Sequence, residues 1–439
     1  MDEDSVLNLA KLFSNGSSQY KNLYGFHNQI YQVTGNLNFM LRIASTSHRS
    51  KDAALGEINF LLFLKEKGVS VAAPIKGMDG NYVYELTENN EKWIVSAFEI
   101  AKGNDFRTRP EEDDTKLKEV GRMLGKIHRY SKQYKPKNIR LRRQWNESQH
   151  LINAGSLFEK KYPKLKKKFD EFIDQMNKQP KDFRNYGLIH GDYLFSNYFF
   201  ENNTITVSDF DECEYSWYIY DIAVCMYYYL LGHDPSELHS KTKEAENIFF
   251  NLLSGYSKEN TIDIYWFKNM DLFFKMREYV LLSTMSEIPY DRLDSWQKSF
   301  FDGALERQLN DKPFVNTDFT RVYDDVRRMN PIPPQESLPQ NPNFPRNELG
   351  ETYGSGLDAT PYEKQPDLIK AQGIDGTSGY IRTTELDGEP PRTPEEALAQ
   401  QANRTVRYVN LYESNGKTII GKFKISPGKS GMKDKRENS

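Results

Sequence analysis

The chain has 439 residues with 59 basic and 62 acidic side chains, and its formal net charge of -3 provides no overall field for attracting nucleic acid or a membrane surface. Its two cysteines, Cys213 and Cys225, are too few for a disulfide framework and are typical of a reducing compartment. The acidic N-terminus lacks a secretion-signal pattern, and the longest apolar run, residues 222–231, is shorter than the roughly 20 residues of a membrane span. We therefore expect a cytoplasmic protein with no membrane span and no nucleic-acid partner.

The first hundred residues have the pattern of a small lobe built on antiparallel strands. Aromatic and apolar stretches alternate there with polar turns. One helix is predicted over residues 53–67, where apolar side chains recur at helical spacing and Gly68 follows as a stop signal. Five strands are predicted, at residues 20–24, 29–33, 37–44, 82–86 and 93–98.

Helical periodicity dominates the next two hundred residues. Two basic stretches, residues 135–143 and 160–168, are interpreted as solvated faces, because acidic residues follow the second one closely. Helices are predicted at residues 115–130, 222–231, 236–256, 264–285 and 293–309.

The remainder of the chain changes in composition. Residues 311–350 are rich in proline and polar side chains, which predicts a linker. Residues 351–426 predict a small module with a helix that begins at Thr393 and a hairpin formed by residues 406–413 and 418–425. Residues 427–439 are expected to be a disordered tail. The module contains no recognisable catalytic pattern, so we expect an interaction or regulatory role with a protein partner; an unrelated fused fragment is the alternative.

Residues 188–211 carry the chemistry. Phosphoryl transfer needs a carboxylate that positions an attacking hydroxyl and takes its proton, and oxygen ligands that hold Mg²⁺ against nucleotide phosphates. Asp192 fits the first role, and Asn197 and Asp209 fit the second. Residues 198–207 read as a hairpin that folds Asp209 back toward Asn197. Taken singly, these residues are also typical of turns, and His190 of a buried core histidine.

The order of these motifs resembles a known family. His-Gly-Asp-x-x-x-x-Asn at residues 190–197, Asp-Phe-Asp at 209–211 and Tyr-Asp-Ile-Ala at 220–223 resemble the aminoglycoside phosphotransferase and choline kinase family over about residues 15–310. The resemblance implies an α+β, two-lobed protein-kinase-like fold. Residues 1–100 would form the nucleotide-binding lobe and residues 101–310 the catalytic and substrate lobe. The implied activity is transfer from ATP, with Mg²⁺, to a small-molecule hydroxyl.

Further roles follow from the resemblance alone. Arg42 on the third strand would hold nucleotide phosphates and pair with Glu57, although many members have lysine at that position. Asp221 would order the catalytic loop together with His190. Gly25 is the single glycine at the hairpin where a glycine-rich loop is expected, so a phosphate-binding turn and a plain turn remain equal alternatives. The adenine-reading hinge, residues 96–100, would comprise Ala97, Phe98 and Glu99.

The acceptor is less well defined by sequence. Asp211, Glu212 and Glu214 cluster after the metal aspartate, which favours a cationic acceptor if they face the cleft; Asp211 is also a candidate ligand for a second Mg²⁺. Aminoglycoside-, choline- and homoserine-like acceptors all remain open. The alternatives are a protein Ser/Thr kinase of the same fold and a nucleotide-binding scaffold without turnover, which is motivated by Arg42 and the absent glycine-rich loop.

Overall fold

The computed structural model separates the chain into two compact units, Met1–Ser337 and Leu338–Ser439. Gly25, the helix expected from Thr393 and the tail lie outside the described residues. Across the part of the chain that is described, no helix combines the length and apolar character needed to cross a membrane. The described residues are 3–16, 18–23, 28–88, 91–105, 113–136, 138, 141–202, 204–231, 242–329, 344–355, 366–387 and 407–425.

The first unit begins with a mixed lobe around a six-stranded sheet. The order is β1-β2-β3-β6-β4, with β5 also paired to β6. The five predicted strands and the predicted helix are present, whereas α1 and the short β4 were not predicted. The elements are α1 (Glu3–Ala10), β1 (Gln19–Asn22), β2 (Gln29–Thr34), β3 (Phe39–Ser45), α2 (Lys51–Glu66), β4 (Pro74–Ile75), β5 (Val83–Glu88) and β6 (Glu91–Phe98).

Strand β3 is central to this lobe because both of its faces are covered. Phe39, Leu41 and Ile43 pack into one apolar core, and Arg42, which points the other way, is also buried. Helix α2 lies on the Arg42 side, and its start is fixed by Ser50, whose hydroxyl accepts from the Ala53 amide at 3.1 Å. This arrangement brings Glu57 of α2 against Arg42.

The second lobe of this unit is mainly helical. Gly255 allows the first and fifth of its helices to touch, because a Cβ there would meet the Lys118 carbonyl oxygen at 1.7 Å. Of the nine helices described in this lobe, the first, fourth, fifth and eighth match single predicted patterns, while the predicted helix over residues 264–285 is divided into two. They are α3 (Asp114–Ser131), α4 (Gln149–Lys161), α5 (Pro163–Asn177), α6 (Tyr218–Leu231), α7 (Thr242–Tyr256), α8 (Ile264–Lys268), α9 (Met270–Ser286), α10 (Ser295–Leu309) and α11 (Phe319–Met329).

Helix α11 lies within the segment expected to be a linker. Its residues Phe319, Val322, Tyr323 and Val326 are buried, and the Phe319 ring contacts Phe249 of α7 with 5.0 Å between centroids. The proline-rich composition that predicts a linker begins only after this helix, so averaging over residues 311–350 concealed an amphipathic segment. The predicted linker is therefore wrong for residues 319–329.

Short strands of the helical lobe position the candidate site. Strands β8 (Tyr186–Ile189) and β11 (Glu214–Trp217) pair antiparallel. Strands β9 (Tyr198–Glu201) and β10 (Thr204–Val207) form the predicted hairpin, and β7 (Asn104–Asp105) pairs with β9. The residues of interest lie in the connections at the ends of these strands. The α+β class and the two-lobed kinase-like architecture are thus confirmed.

The second unit contains a five-stranded sheet of order β12-β13-β14-β15-β16, with Leu368, Ile381 and Leu411 buried. The hairpin predicted from residue 406 is present as its last two strands. The elements are β12 (Tyr353–Gly354), β13 (Leu368–Gln372), β14 (Ser378–Arg382), α12 (Thr383–Asp387), β15 (Arg407–Tyr412) and β16 (Ile419–Ile425).

Candidate active site

Asp221 holds the loop that follows β8. Its carboxylate accepts from the backbone amides of His190 and Gly191, both at 2.8 Å, and its Oδ2 lies 3.0 Å from His128 Nε2. Gly191 has φ of 80°, a left-handed conformation that favours glycine. Burial lowers the pKa of His128, which favours the neutral ring, and Tyr256 contacts its other nitrogen at 3.0 Å. His128 therefore acts on the loop through Asp221, as a structural residue.

His190 links the loop to the turn after β10. Its side chain is buried, Nε2 lies 3.1 Å from the Ser208 carbonyl oxygen, and Nδ1 accepts from the Asp192 amide at 3.3 Å. The described lining of the neighbouring cavity includes Gly191 and Asp192 but not His190. These contacts support bracing of the backbone by His190.

Asp192 is held from two sides. Asn197 donates its side-chain amide to the Asp192 carbonyl oxygen at 2.9 Å and to Oδ2 at 3.4 Å. Arg277 of α9 donates to Oδ1 at 2.5 Å. The side chains of Asp192 and Arg277 are 26% and 10% exposed. Burial raises the pKa of Asp192, while the Arg277 charge acts in the opposite direction. One carboxylate oxygen is thus strongly bound and the other only weakly.

Asp209 lies close to this loop because the Ser208 amide donates to the Asn197 carbonyl at 2.8 Å. Its φ of 60° is unusual for a residue other than glycine, and such strain is often found at functional sites. The Asp209 side chain is 50% exposed and lines the same cavity as Asp192. Burial, followed by the Asp211 charge, raises the pKa of Asp209 well above its usual range.

Asp211 has a different environment from Asp209. Arg49 contacts its carboxylate at 2.8 Å and Asn28 donates to the same oxygen at 2.7 Å. Burial opposes ionisation of Asp211, but the charges of Arg49 and Arg42 and the Asn28 hydrogen bond together outweigh it and hold the pKa of Asp211 below its usual range. Within the described residues, no three His, Cys, Asp or Glu side chains cluster so as to hold a metal by themselves. Mg²⁺ commonly uses one or two carboxylates together with substrate phosphates, and Asp209 and Asp211 with Asn197 fit that donor set.

Glu57 joins two arginines behind these carboxylates. It pairs with Arg42 and accepts from Arg49 at 2.6 Å. The Arg42 and Glu57 side chains are only 7% and 1% exposed, so this is a buried pair and not an ordinary surface pair. Arg42 also lies 3.7 Å from the Asp209 carboxylate and 4.4 Å from the Phe98 ring centroid.

The three hinge candidates, Ala97, Phe98 and Glu99, lie at and just after the end of β6. Ala97 pairs with Leu41 of β3, and the Glu99 amide donates to the Ala73 carbonyl at 2.8 Å. Phe98 is linked to the site through the Arg42 contact. The described lining of the cavity includes none of the three hinge residues.

A cavity of about 420 Å³ opens beside Asp192, Asp209 and Asp211. Glu212 and Glu214 line it and share Arg143, which lies 3.0 Å from Glu214. Burial raises the pKa of Glu214 to about 7, with Arg143 acting in the opposite direction. The acidic run therefore reaches the cavity, but with a cation bound between its last two members.

Sequence reasoning missed Arg49, Arg143 and Arg277. Arg143 belongs to the basic stretch interpreted as solvated, and that interpretation is wrong here, because Arg143 binds Glu212 and Glu214. Neighbouring Arg142 is buried and donates to the Cys213 carbonyl at 2.6 Å. Arg143 and its partner Glu212 are 69 residues apart in the sequence, so no local spacing of residues could have predicted this pair.

Cys213 and Cys225 are both free and buried. Burial raises the pKa of Cys213 to about 12, which describes an inert thiol, as expected without an activating partner.

Comparison with known proteins agrees with this geometry. Residues 22–247 match the sequence model of the phosphotransferase enzyme family. Amicoumacin kinase of Bacillus subtilis (strain 168) is 26% identical over 327 residues, which are 73% of this chain and 96% of that protein. A solved amicoumacin kinase in complex with AMP-PNP, Ca²⁺ and Ami superimposes with a TM-score of 0.66 at 23% identity, covering 73% of this chain and 97% of the other. The structure of a microcompartment-associated aminopropanol kinase superimposes with a TM-score of 0.56 at 20% identity, covering 71% of this chain and 98% of the other. The chain belongs to the phosphotransferase enzyme family, whose model spans more than half of it.

Proposed function

We propose that this protein transfers the γ-phosphoryl group of ATP to a hydroxyl group of a small molecule. The observation that carries the proposal is the meeting of Asp192 and Asp209 at one cavity, where Asn197 connects their two loops. A base and oxygen ligands for a cation are the components that phosphoryl transfer requires.

Asp192 orients the acceptor hydroxyl and takes its proton. Arg277 occupies Oδ1, so the weakly bound Oδ2 is the oxygen that receives the proton. The raised pKa of Asp192 makes it a stronger base than an exposed aspartate while the nearby arginine keeps it ionised. His190 and Asp221 maintain the loop geometry.

Asn197 and Asp209 would hold Mg²⁺, and Asp211 would complete or support that site. Burial, followed by the Asp211 charge, raises the pKa of Asp209, and a divalent cation beside this carboxylate would favour its ionised form. When bound, the ion supplies neutralisation of the nucleotide phosphates. The solved amicoumacin kinase complex with AMP-PNP and Ca²⁺ makes a nucleotide and a divalent cation the first ligands to test.

Arg42 would contact the nucleotide phosphates, and Glu57 would fix its direction. Arg49 joins Glu57 to Asp211, so the phosphate-binding and metal-binding groups form one connected ion network. The hinge residues Ala97, Phe98 and Glu99 would read adenine through backbone groups that the sheet leaves unpaired, which excludes the Glu99 amide because it donates to Ala73. The proposed location of the reaction is the cytoplasm, and two free, buried cysteines support that proposal.

A cationic acceptor is consistent with two glutamates that share one arginine at the cavity. Glu212 and Glu214 together carry one more negative charge than Arg143 neutralises when both are ionised. The curated relative is an amicoumacin kinase, so amicoumacin belongs in the acceptor screen.

The function is tested with the purified full chain, MgATP and a panel containing amicoumacin, amino alcohols and aminoglycosides. We expect a phosphorylated product with at least one acceptor and its loss in Asp192→Asn. Label transfer to proteins of a lysate would instead favour the protein-kinase alternative. Binding of MgATP without turnover across the panel would favour the scaffold.

A further inference from the structure

The cavity has an apolar wall that the proposed chemistry does not use. Helix α9 contributes Met276, Val280, Leu281 and Met285, and Ile288 follows just beyond its end. Leu281, Met285 and Ile288 are spaced by four and three residues, so they form one strip that begins one turn after Arg277. Met276 and Val280, also four residues apart, form a second apolar pair on the other side of Arg277 and Thr284. Met276 and Val280 are buried, whereas Leu281, Met285 and Ile288 are only partly covered.

The strip starts at the reacting end of the cavity. Arg277, beside Met276, binds Asp192 and so places this part of α9 at the proposed base. With a rise of about 1.5 Å per residue, the helix extends about 12 Å from Arg277 to Met285. The strip therefore runs outward from the position where the acceptor hydroxyl would lie.

The rotation of α9 about its axis is fixed independently. Glu278, the residue after Arg277, is buried and accepts from Arg307 at 2.6 Å and from Gln308 at 2.5 Å. Glu278 is not among the residues that line the cavity, and these bonds fix the rotation of α9 that directs Leu281 and Met285 toward the cavity. The strip is thus part of a fixed wall.

A small polar acceptor would not cover this wall. A two- or three-carbon amino alcohol reaches only about 5 Å from its hydroxyl, given bond lengths near 1.5 Å. Leu281, Met285 and Ile288 would then stay in contact with water, whereas burial of apolar area is the main favourable contribution to binding in such cavities.

We propose that the acceptor is a hydroxyl compound with an aromatic or extended apolar body, which packs against Val280, Leu281 and Met285 while its hydroxyl lies at Asp192. This inference rests on the proposed phosphotransferase function. Val280, Leu281 and Met285 determine specificity, and the polar lining residues, which include Glu212 and Glu214, contact the polar part of the acceptor.

Two probe compounds isolate the apolar contribution. 2-Amino-1-phenylethanol and 1-amino-2-propanol have the same hydroxyl group and neighbouring amine. The carbon that bears the hydroxyl carries a phenyl group in the first compound and a methyl group in the second. We expect kcat/KM to be at least about 10-fold higher for the phenyl compound, since one methylene in an apolar pocket already changes it by about that factor. Kd values measured in the presence of AMP-PNP and Mg²⁺ should show the same order, and they give a result even if transfer to both probes is slow.

Leu281→Ser and Met285→Ser should each reduce the phenyl-to-methyl ratio of kcat/KM at least 3-fold. Met78→Ser, which makes the same change at a residue 59% exposed and outside the cavity lining, is the matched control and should leave the ratio unchanged. Thermal unfolding checks that each variant is folded.

The inference would be overturned if kcat/KM and Kd were equal for the two probes, or if both favoured the methyl compound. The proposed function would still stand in that case, provided that ATP turnover depends on Asp192. If ATP turnover is the same in wild type and Asp192→Asn, the proposed function fails and this inference fails with it.

Discussion

Replacing Arg277 by Met tests whether this arginine positions the base. Arg277 donates to Asp192 Oδ1 at 2.5 Å and also binds the Tyr228 hydroxyl, while its guanidinium lies 4.9 Å from the Tyr228 ring centroid. Four residues separate Asp192 from Asn197, and none of them is basic, so the loop itself supplies no cation to the base. Arg277→Met removes the contact to Oδ1 and leaves Asn197 as the described side-chain donor to this carboxylate.

The expected loss can be worked from these contacts. A displacement of about 1 Å at a reacting group costs on the order of 100-fold in rate, equivalent to about 2.7 kcal/mol. We therefore expect kcat of Arg277→Met to fall about 100-fold, with KM for ATP within about 2-fold, because Arg277 does not contact the phosphate-binding group. Stability should fall by about 2 kcal/mol, less than the roughly 3–5 kcal/mol of a fully buried pair, because Asp192 is 26% exposed.

Steady-state kinetics with saturating acceptor measure the effect, and thermal unfolding shows that the variant is folded. Arg277→Lys should recover part of kcat, since it keeps the charge but loses the planar group. Lys275→Met removes a cation from the same helix, where Lys275 pairs with Asp271 at 3.4 Å, and serves as the control with unchanged kcat. A kcat for Arg277→Met within about 3-fold of wild type would refute the positioning role.

Three further predictions concern other parts of the first unit. Glu57→Gln should raise KM for ATP at least 10-fold and lower the free energy of unfolding by about 3 kcal/mol, since two buried arginines lose their shared carboxylate; nucleotide titration and denaturant unfolding measure both. Glu214 has a pKa raised to about 7 from 4.5, so its ionisation opposes folding as pH rises. The difference in free energy of unfolding, Glu214→Gln minus wild type, should therefore increase by about 3 kcal/mol from pH 4.5 to pH 8. A difference that stays constant over this pH range would contradict the prediction. A chain ending after Met329 should keep acceptor phosphorylation, whereas one ending after Asn310, which lacks α11, should lose at least about 3 kcal/mol of stability in denaturant unfolding.

The loop proposed as catalytic was predictable because its candidate residues are close in sequence. Asp192 and Asn197 share one loop, and the hairpin between Asn197 and Asp209 is fixed by two short strands with a polar turn. Local patterns of this kind carry both the type of residue and its spacing. The resemblance of these motifs to a known family supplied the two lobes, which the structure contains.

The counterions of the site were not predictable in the same way. Arg277 contacts Asp192 from a helix 85 positions further along the chain, and Arg49 reaches Asp211 from the loop before α2. Their positions depend on helix packing and not on a local pattern. Helix α11 was missed for another reason, since a composition average over a proline-rich segment hides a short amphipathic helix.

The acidic run after Asp209 shows how structure changes an interpretation. Sequence suggested a concentration of negative charge, but Asp211 binds Arg49, and Arg143 lies between Glu212 and Glu214. Net charge at the cavity is therefore smaller than the sequence implies. The apolar strip on α9 could not be predicted as a substrate contact, because Val, Leu and Met residues at helical spacing usually face a protein core.

Mass spectrometry of the acceptor after incubation with ATP, Mg²⁺ and the full chain tests the central claim most directly. Wild type and the control Asp291→Asn, altered at an exposed aspartate, should both add one phosphate to a hydroxyl of the acceptor. Asp192→Asn should reduce that rate by about 100-fold or more while it still binds MgATP. Phosphorylation at the wild-type rate by folded Asp192→Asn would contradict the assignment of Asp192 as the base.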